Sequence, residues 1–193
     1  MNKILFLLSI GSFIFTLSCS TNVNVKNSTG AAFTATFDAA DATSVANGAT
    51  GKKNYVVGFF EPSKTVAVKA QGVYVSATSN VKVDGIQDVE VTFSANQGGI
   101  KVVNNSGRTI TNINISPNNT STWGSNWLGS STLSSTTGTE VIYGVAPGLW
   151  DIRITDASFV GTVLGFTVST GSTVTRTYGT STISAPPFLS STK

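Results

Sequence analysis

The chain predicts an all-β protein built of antiparallel strands, and three observations carry that expectation. Serine and threonine number 25 and 28 of the 193 residues, a hydroxyl bias that suits strand faces and turns better than helix interiors. Apolar residues recur at every second position in short runs closed by Gly, Asn or Pro, as in Trp150-Asp151-Ile152-Arg153-Ile154. No segment beyond the N-terminal run sustains a 3.6-residue period. Thirdly, part of the sequence repeats about 77 residues further on. With 40% apolar and 11% charged residues the composition is too apolar for a disordered coil.

The first element is a targeting segment. Met1, Asn2 and Lys3 give a short positive start, and residues 4–17 form an uncharged, largely apolar run of 14. A spanning helix needs about 20 residues, so residues 1–18 read as a cleaved signal peptide. The run stops at Leu17-Ser18-Cys19, and Cys19 is the sole cysteine. An ordinary secretory signal with a lone thiol left over is the plain alternative. The motif resembles the lipobox of bacterial lipoproteins in its permissive spirochaetal form, with Thr16 where the common pattern has leucine. That resemblance implies cleavage before Cys19, a diacylglycerol thioether on its sulfur and a further acyl chain, such as palmitate, on its amine. Each buried methylene contributes about 0.8 kcal/mol, so two or three chains anchor a protein essentially permanently. Ser20-Thr21-Asn22-Val23 carries no acidic side chain, which by the same resemblance implies the outer membrane, periplasmic or cell-surface face left open. With Cys19 acylated no disulfide forms, and stability has to come from packing.

The mature chain then reads as one β module written twice, module 1 over 19–97 and module 2 over 98–178, with a tail over 179–193. Val23-Asn24-Val25-Lys26-Asn27-Ser28-Thr29-Gly30 recurs as Ile100-Lys101-Val102-Val103-Asn104-Asn105-Ser106-Gly107. Each copy is an alternating strand entering a turn, with Asn to cap it and Gly to take positive φ. Ala70-Gln71-Gly72-Val73-Tyr74 echoes Ala146-Pro147-Gly148-Leu149-Trp150, and Val89-Glu90-Val91-Thr92-Phe93 echoes Val174-Thr175-Arg176-Thr177-Tyr178. The shift grows to 85, which places about nine extra residues in the 158–165 region of the second copy.

Expected strands in module 1 are 22–26, 33–37, 55–60, 65–69, 73–77, 81–83 and 89–93. In module 2 they are 100–103, 109–115, 126–133, 140–145, 149–155, 164–168 and 173–178. Seven short strands per copy is the requirement of an antiparallel, immunoglobulin-like β-sandwich. Phe59 and Phe60 are expected on opposite faces of one strand. Asp151 and Arg153 are expected to share a solvated face. A disulfide-free module of this size is marginal alone, which predicts a substantial contact between the copies.

Ile113-Asn114-Ile115-Ser116-Pro117, Trp123-Gly124-Ser125-Asn126-Trp127-Leu128-Gly129 and Pro147-Gly148-Leu149-Trp150-Asp151-Ile152-Arg153 are similar to an uncharacterised module of secreted bacterial proteins and lipoproteins. The resemblance spans residues 100–178. It has Trp127 in place of an aliphatic residue and Trp150 in place of tyrosine. It implies a β-sandwich and no particular activity. Trp123 and Trp127, beside Asn118, Asn119, Ser121, Thr122, Ser125 and Asn126, have two open readings. They form a stacking platform for a sugar ring, with Asn126 among the hydrogen-bonding groups, or they cover one end of the sandwich core.

Function classes narrow by elimination. Histidine is absent, removing the usual Ser-His-Asp triads, His-ligated zinc and haem. Asp38 with Asp41, and Asp84 with Asp88, lack the ligand density of a calcium loop, so no metal and no cofactor is expected. Glu61, Glu90 and Glu140 have no cleft context for glycoside hydrolysis. After loss of Lys3 the chain holds 11 basic and 9 acidic side chains, with no basic run beyond Lys52-Lys53; nucleic acid is not implied. The expectation is a non-enzymatic, lipid-anchored envelope protein of structural or surface-interaction role. Its partner is the membrane through Cys19, with an envelope glycan, peptidoglycan, host ligand or protein bound at the Trp123–Trp127 turn as the alternative. The tail, through Phe188-Leu189, docks on module 2 or serves as an exposed handle.

Overall fold

The computed structural model describes residues 18–58, 63–120, 122–136 and 138–179. Residues 1–17 of the expected signal peptide, the expected site of Phe59-Phe60, Glu61, Ser121 and the expected tail from residue 180 lie outside the described residues. Everything described is strand, turn or irregular chain.

Module 1 holds β1 (Ser18–Ser28), β2 (Phe33–Phe37), β3 (Asp41–Val45), β4 (Thr50–Gly58), β5 (Lys64–Gly72), β6 (Ser76–Val83) and β7 (Val89–Ser94). They form one sheet of order β4-β1-β7 and a second of order β3-β2-β5-β6. Module 2 holds β8 (Gly98–Asn105), β9 (Ile110–Pro117), β10 (Thr139–Val145), β11 (Gly148–Asp156), β12 (Val160–Val168) and β13 (Thr173–Gly179). Its sheets run β10-β8-β13 and β12-β11-β9. All pairings are antiparallel save one in each module, where the first strand lies parallel to the last, β1 on β7 and β8 on β13.

Alternation accounts for the layers. Val23, Val25, Phe33, Phe37, Val66, Val68, Val81, Val83, Val91 and Phe93 point inward and make the first core, with Phe33 and Phe93 edge to face at 5.9 Å. Ile100, Val102, Ile113, Ile142, Ile152, Ile154, Phe166, Val168 and Tyr178 belong to the second. The two cores share no side chain.

The repeat is a three-dimensional one at its ends. Asn27 donates to the carbonyls of Ala31 and Val45 and accepts from the N–H and hydroxyl of Thr29. Asn104 donates to the carbonyls of Arg108 and Ser134 and accepts from the N–H and hydroxyl of Ser106. Gly30 and Gly107 follow with φ of 89° and 73°. The parallel ladders match as well, Val23 opposite Val89 and Ile100 opposite Val174.

Several expectations are corrected. The middle echo is not structural: residues 70–74 end β5 and turn towards β6, whereas residues 146–150 turn from β10 into β11. The extra length lies between β9 and β10, residues 118–138, against residues 38–49 between β2 and β4. The expected strands 73–77 and 81–83 give way to the single β6, and β3 was not expected. Residues 126–133 form no strand; a lone bridge joins Leu133 to Ile110. Gly179 belongs to β13 and not to the tail. Among the described residues the modules meet through turns and strand ends and not through packed strand faces: the Tyr74 hydroxyl bonds Thr173 at 2.9 Å, Gly171 donates to the Gln97 carbonyl, and Gly171 lies against Ala95 and the Thr29 carbonyl.

Candidate functional site

The segment that replaces β3 in module 2 builds the site. After Pro117 the chain turns through Asn119, whose φ is 65°. It then comes back along the outer edge of β9. Gly124 donates to the Ile115 carbonyl and Trp127 to that of Ile113, at 3.0 and 2.8 Å. Asn114 donates from its amide to the Gly124 carbonyl, and the Ser116 hydroxyl bonds Thr120 and the Thr122 carbonyl. The edge of β9 is thus covered by irregular chain, held to it by an improvised ladder.

Asn126 is the brace of that ladder. Its Oδ1 accepts from the N–H of Ile113 and Leu128, and its Nδ2 donates to the carbonyls of Thr111 and Gly129. Four bonds to backbone occupy the amide, so Asn126 holds the segment that carries the two tryptophans in place. From this segment Leu128 enters the core, and Trp150 of β11 packs against that core from the groove side.

Trp123 and Trp127 instead line an open groove of about 490 Å³ together with Ile115, Pro117, Thr122, Gly124, Ser125 and Trp150. Trp127 is 48% exposed, and Trp123 and Trp150 are half-buried. All three tryptophans of the chain therefore meet here. Each is oriented. The Arg153 guanidinium lies 4.9 Å from the Trp123 ring centre, Trp150 donates from Nε1 to the Ala146 carbonyl at 2.8 Å, and the Trp127 backbone is bonded to β9. Pro117 faces Trp150 in register. No lining side chain titrates near neutrality, so the groove offers aromatic and aliphatic surface with hydroxyls at Thr122 and Ser125. Such a surface stacks a flat or ring-shaped ligand and has no proton to move.

The alternation of the sequence marks Trp150 only as a strand residue. Its part in the groove follows from Trp150 and Pro117 being cross-strand partners, a register that the sequence does not display. Alternation predicts a solvated pair of Asp151 and Arg153. Instead Asp151 is buried at 2% exposure, accepting from Asn118 Nδ2 and the Gly165 N–H at 2.8 Å each. The loop after β9 covers Asp151 while Arg153 turns to the tryptophan.

Cys19 is exposed on β1, opposite Val57. The acidic pairs are engaged elsewhere: Asp38 with Lys64, Asp41 with Lys53, and Asp88 with Asn22. Among the described residues no three metal-ligating side chains cluster. Glu90 is exposed on β7 and Glu140 lies on β10, apart from the groove lining.

Fold and site together define an all-β protein of tandem antiparallel sandwiches, the second carrying an aromatic groove. No family model matches the chain, and no curated protein sequence does. Among solved structures it is similar to the TIE protein of Bacillus anthracis, at 11% identity and a TM-score of 0.34 over 83% of this chain. The chain spans about a third of that protein, 34% of its length. It is also similar to GBS52, a minor pilin of Streptococcus agalactiae, at 12% identity and a TM-score of 0.33, over 82% of this chain and 94% of that one. A DUF3823 family protein of Parabacteroides merdae shares 9% identity at a TM-score of 0.23, over 78% and 99% of the two chains.

Proposed function

We propose that this is a lipid-anchored, non-enzymatic protein of the bacterial outer membrane, whose tandem sandwiches serve envelope structure or surface interaction. The observation that carries the reading is Cys19: the only cysteine of the sequence is exposed, on the first described strand. Cleavage before Cys19 removes from the described structure only Ser18, the last rung of the β1–β4 ladder. Mass spectrometry of the N-terminal peptide from membranes is expected to show a diacylglycerol thioether at Cys19, with globomycin blocking its maturation. An unmodified thiol would overturn the anchor.

The convergence of Trp123, Trp127 and Trp150 favours a second, compatible reading, that the groove stacks a sugar ring of an envelope or host glycan. Delipidated protein is expected to bind peptidoglycan or members of a glycan panel, and the Trp123→Ala/Trp127→Ala variant to lose that binding. Equal binding by both proteins, or by neither, removes this reading and leaves the anchor standing.

A further inference from the structure

We infer that module 1 stands directly on the bilayer, without a tether, and that Ile86 is its apolar foot in the lipid interface. The inference rests on the reading of Cys19 as the lipid-bearing residue and goes beyond it in naming what else touches the membrane.

The geometry leaves little slack. Cys19 is not on a leader strip ahead of the fold; it is a rung of β1, opposite Val57, with Ser20 opposite Val56 and Thr21 opposite Tyr55. A lipid on its sulfur therefore fixes the end of the sandwich at headgroup depth. The turn joining β6 to β7, residues 84–88, is clamped on that same end. Asp88 Oδ1 accepts from the backbone N–H and the side-chain amide of Asn22, each at 2.9 Å. Asp84 accepts from the N–H of Ile86 at 3.0 Å. Gly85 sits so close that a Cβ on it would lie 2.8 Å from the Cys19 Cβ, and its φ of +77° is one that other residues rarely adopt.

Ile86, the next residue, is 81% exposed. Val56 is 67% exposed as well, but it pairs with Ser20 and lies on the sheet face opposite to Cys19 and Val57, so Ile86 is the large apolar side chain on the turn that packs against Cys19. Asp84 accepts from the Ile86 backbone N–H and Asp88 from Asn22; Gln87 and Asp88 are exposed beside Ile86, at the polar level of the headgroups, and Ile86 is the apolar side chain that the turn presents outward. Exposed isoleucine is costly in water and favourable at an acyl boundary. The occupant that fits is thus a lipid surface, reached because the anchor brings it there.

The sole thiol is consumed by the lipid, so an added cysteine is the only free one. Full-length lipidated Ile86→Cys and Ser94→Cys proteins, each labelled with an environment-sensitive fluorophore, would be reconstituted into phosphatidylethanolamine–phosphatidylglycerol vesicles carrying a doxyl-labelled lipid. Ser94 faces Ser28, at the far end of β1, about 30 Å away at ~3.3 Å per residue. The label at 86 is expected to shift to the blue and lose most of its emission to the quencher, while that at 94 keeps its aqueous spectrum. Mass spectrometry on the same samples separates the failures. A lipidated Cys19 with an unquenched label at 86 overturns the foot and keeps the anchor. Quenching at both positions means that the module lies flat and overturns the upright stance. A bare Cys19 overturns both.

Discussion

Asp156 shows how a carboxylate is kept in a disulfide-free core. It is buried in module 2, where it accepts from the N–H of Ser158 and Phe159 at 2.7 and 2.8 Å and from the Tyr178 hydroxyl at 3.1 Å. Arg108 approaches to 3.8 Å and stacks over Phe159. Burial opposes its ionisation, but these donors and the guanidinium prevail and hold it below the ordinary carboxylate range. Because folding lowers its pKa, its contribution is complete above the unfolded value of about 3.9 and is lost as pH falls through the folded one. Urea unfolding from pH 5 to pH 2 is therefore expected to show falling stability, with a shallower fall in Asp156→Asn. Asp38, held low against its own desolvation by Lys64 and the Ala67 N–H, acts in the same direction. The alkaline side has the opposite sign. Burial, then Asp38 and Asp41, push Tyr55 up to about 12, and burial with Asp156 raises Tyr178. Their contributions hold below the ordinary tyrosine value of about 10 and fade as pH climbs through the folded ones.

At the scale of elements, the turns after β1 and β8 are the best-specified parts of the chain. Asn27 and Asn104, both fully buried, fasten the end of the first strand to the chain that follows. Replacing either by alanine strands buried carbonyls and an N–H, and is expected to cost about 1–3 kcal/mol in denaturant unfolding. These turns were legible because the Asn and Gly that make them recur in both copies. β3 was not legible: Asp41-Ala42-Thr43-Ser44-Val45 shows little apolar alternation, and its hairpin turns through Asp38 and Ala39, non-glycine residues with φ of 50° and 59°. The error over residues 126–133 has the reverse cause. Leu128 and Leu133 are buried as strand residues would be, but Asn126 satisfies the backbone around it and bends the chain. Trp123 and Trp127 could be read as a pair because they are close in sequence. Trp150 and Arg153 joined them only through the register of β9 and β11.

At the scale of the molecule, the two cores share no side chain among the described residues, so each module is expected to carry most of its own stability. Ile152 is fully buried in the second core, and Ile152→Ala is expected to cost about 2–5 kcal/mol there. In calorimetry the variant is expected to lower one transition and leave the other in place; a single transition displaced as a whole would show that the modules unfold as one. The duplicated fold class was visible in composition, alternation and repeat, whereas the junction was not. Tyr74 and Thr173 are 99 residues apart and belong to turns and strand ends without a pattern of their own.

The parallel pairing of β1 with β7 has a mechanical consequence. The chain enters module 1 at one end of this pair and leaves it at the other, passing through residues 95–97 into β8. A pull between the start of β1 and anything gripping module 2 loads the β1–β7 rungs in shear, so they have to yield together. β8 and β13 repeat the arrangement, so a pull between the start of β1 and the end of β13 meets two shear-resistant links in series.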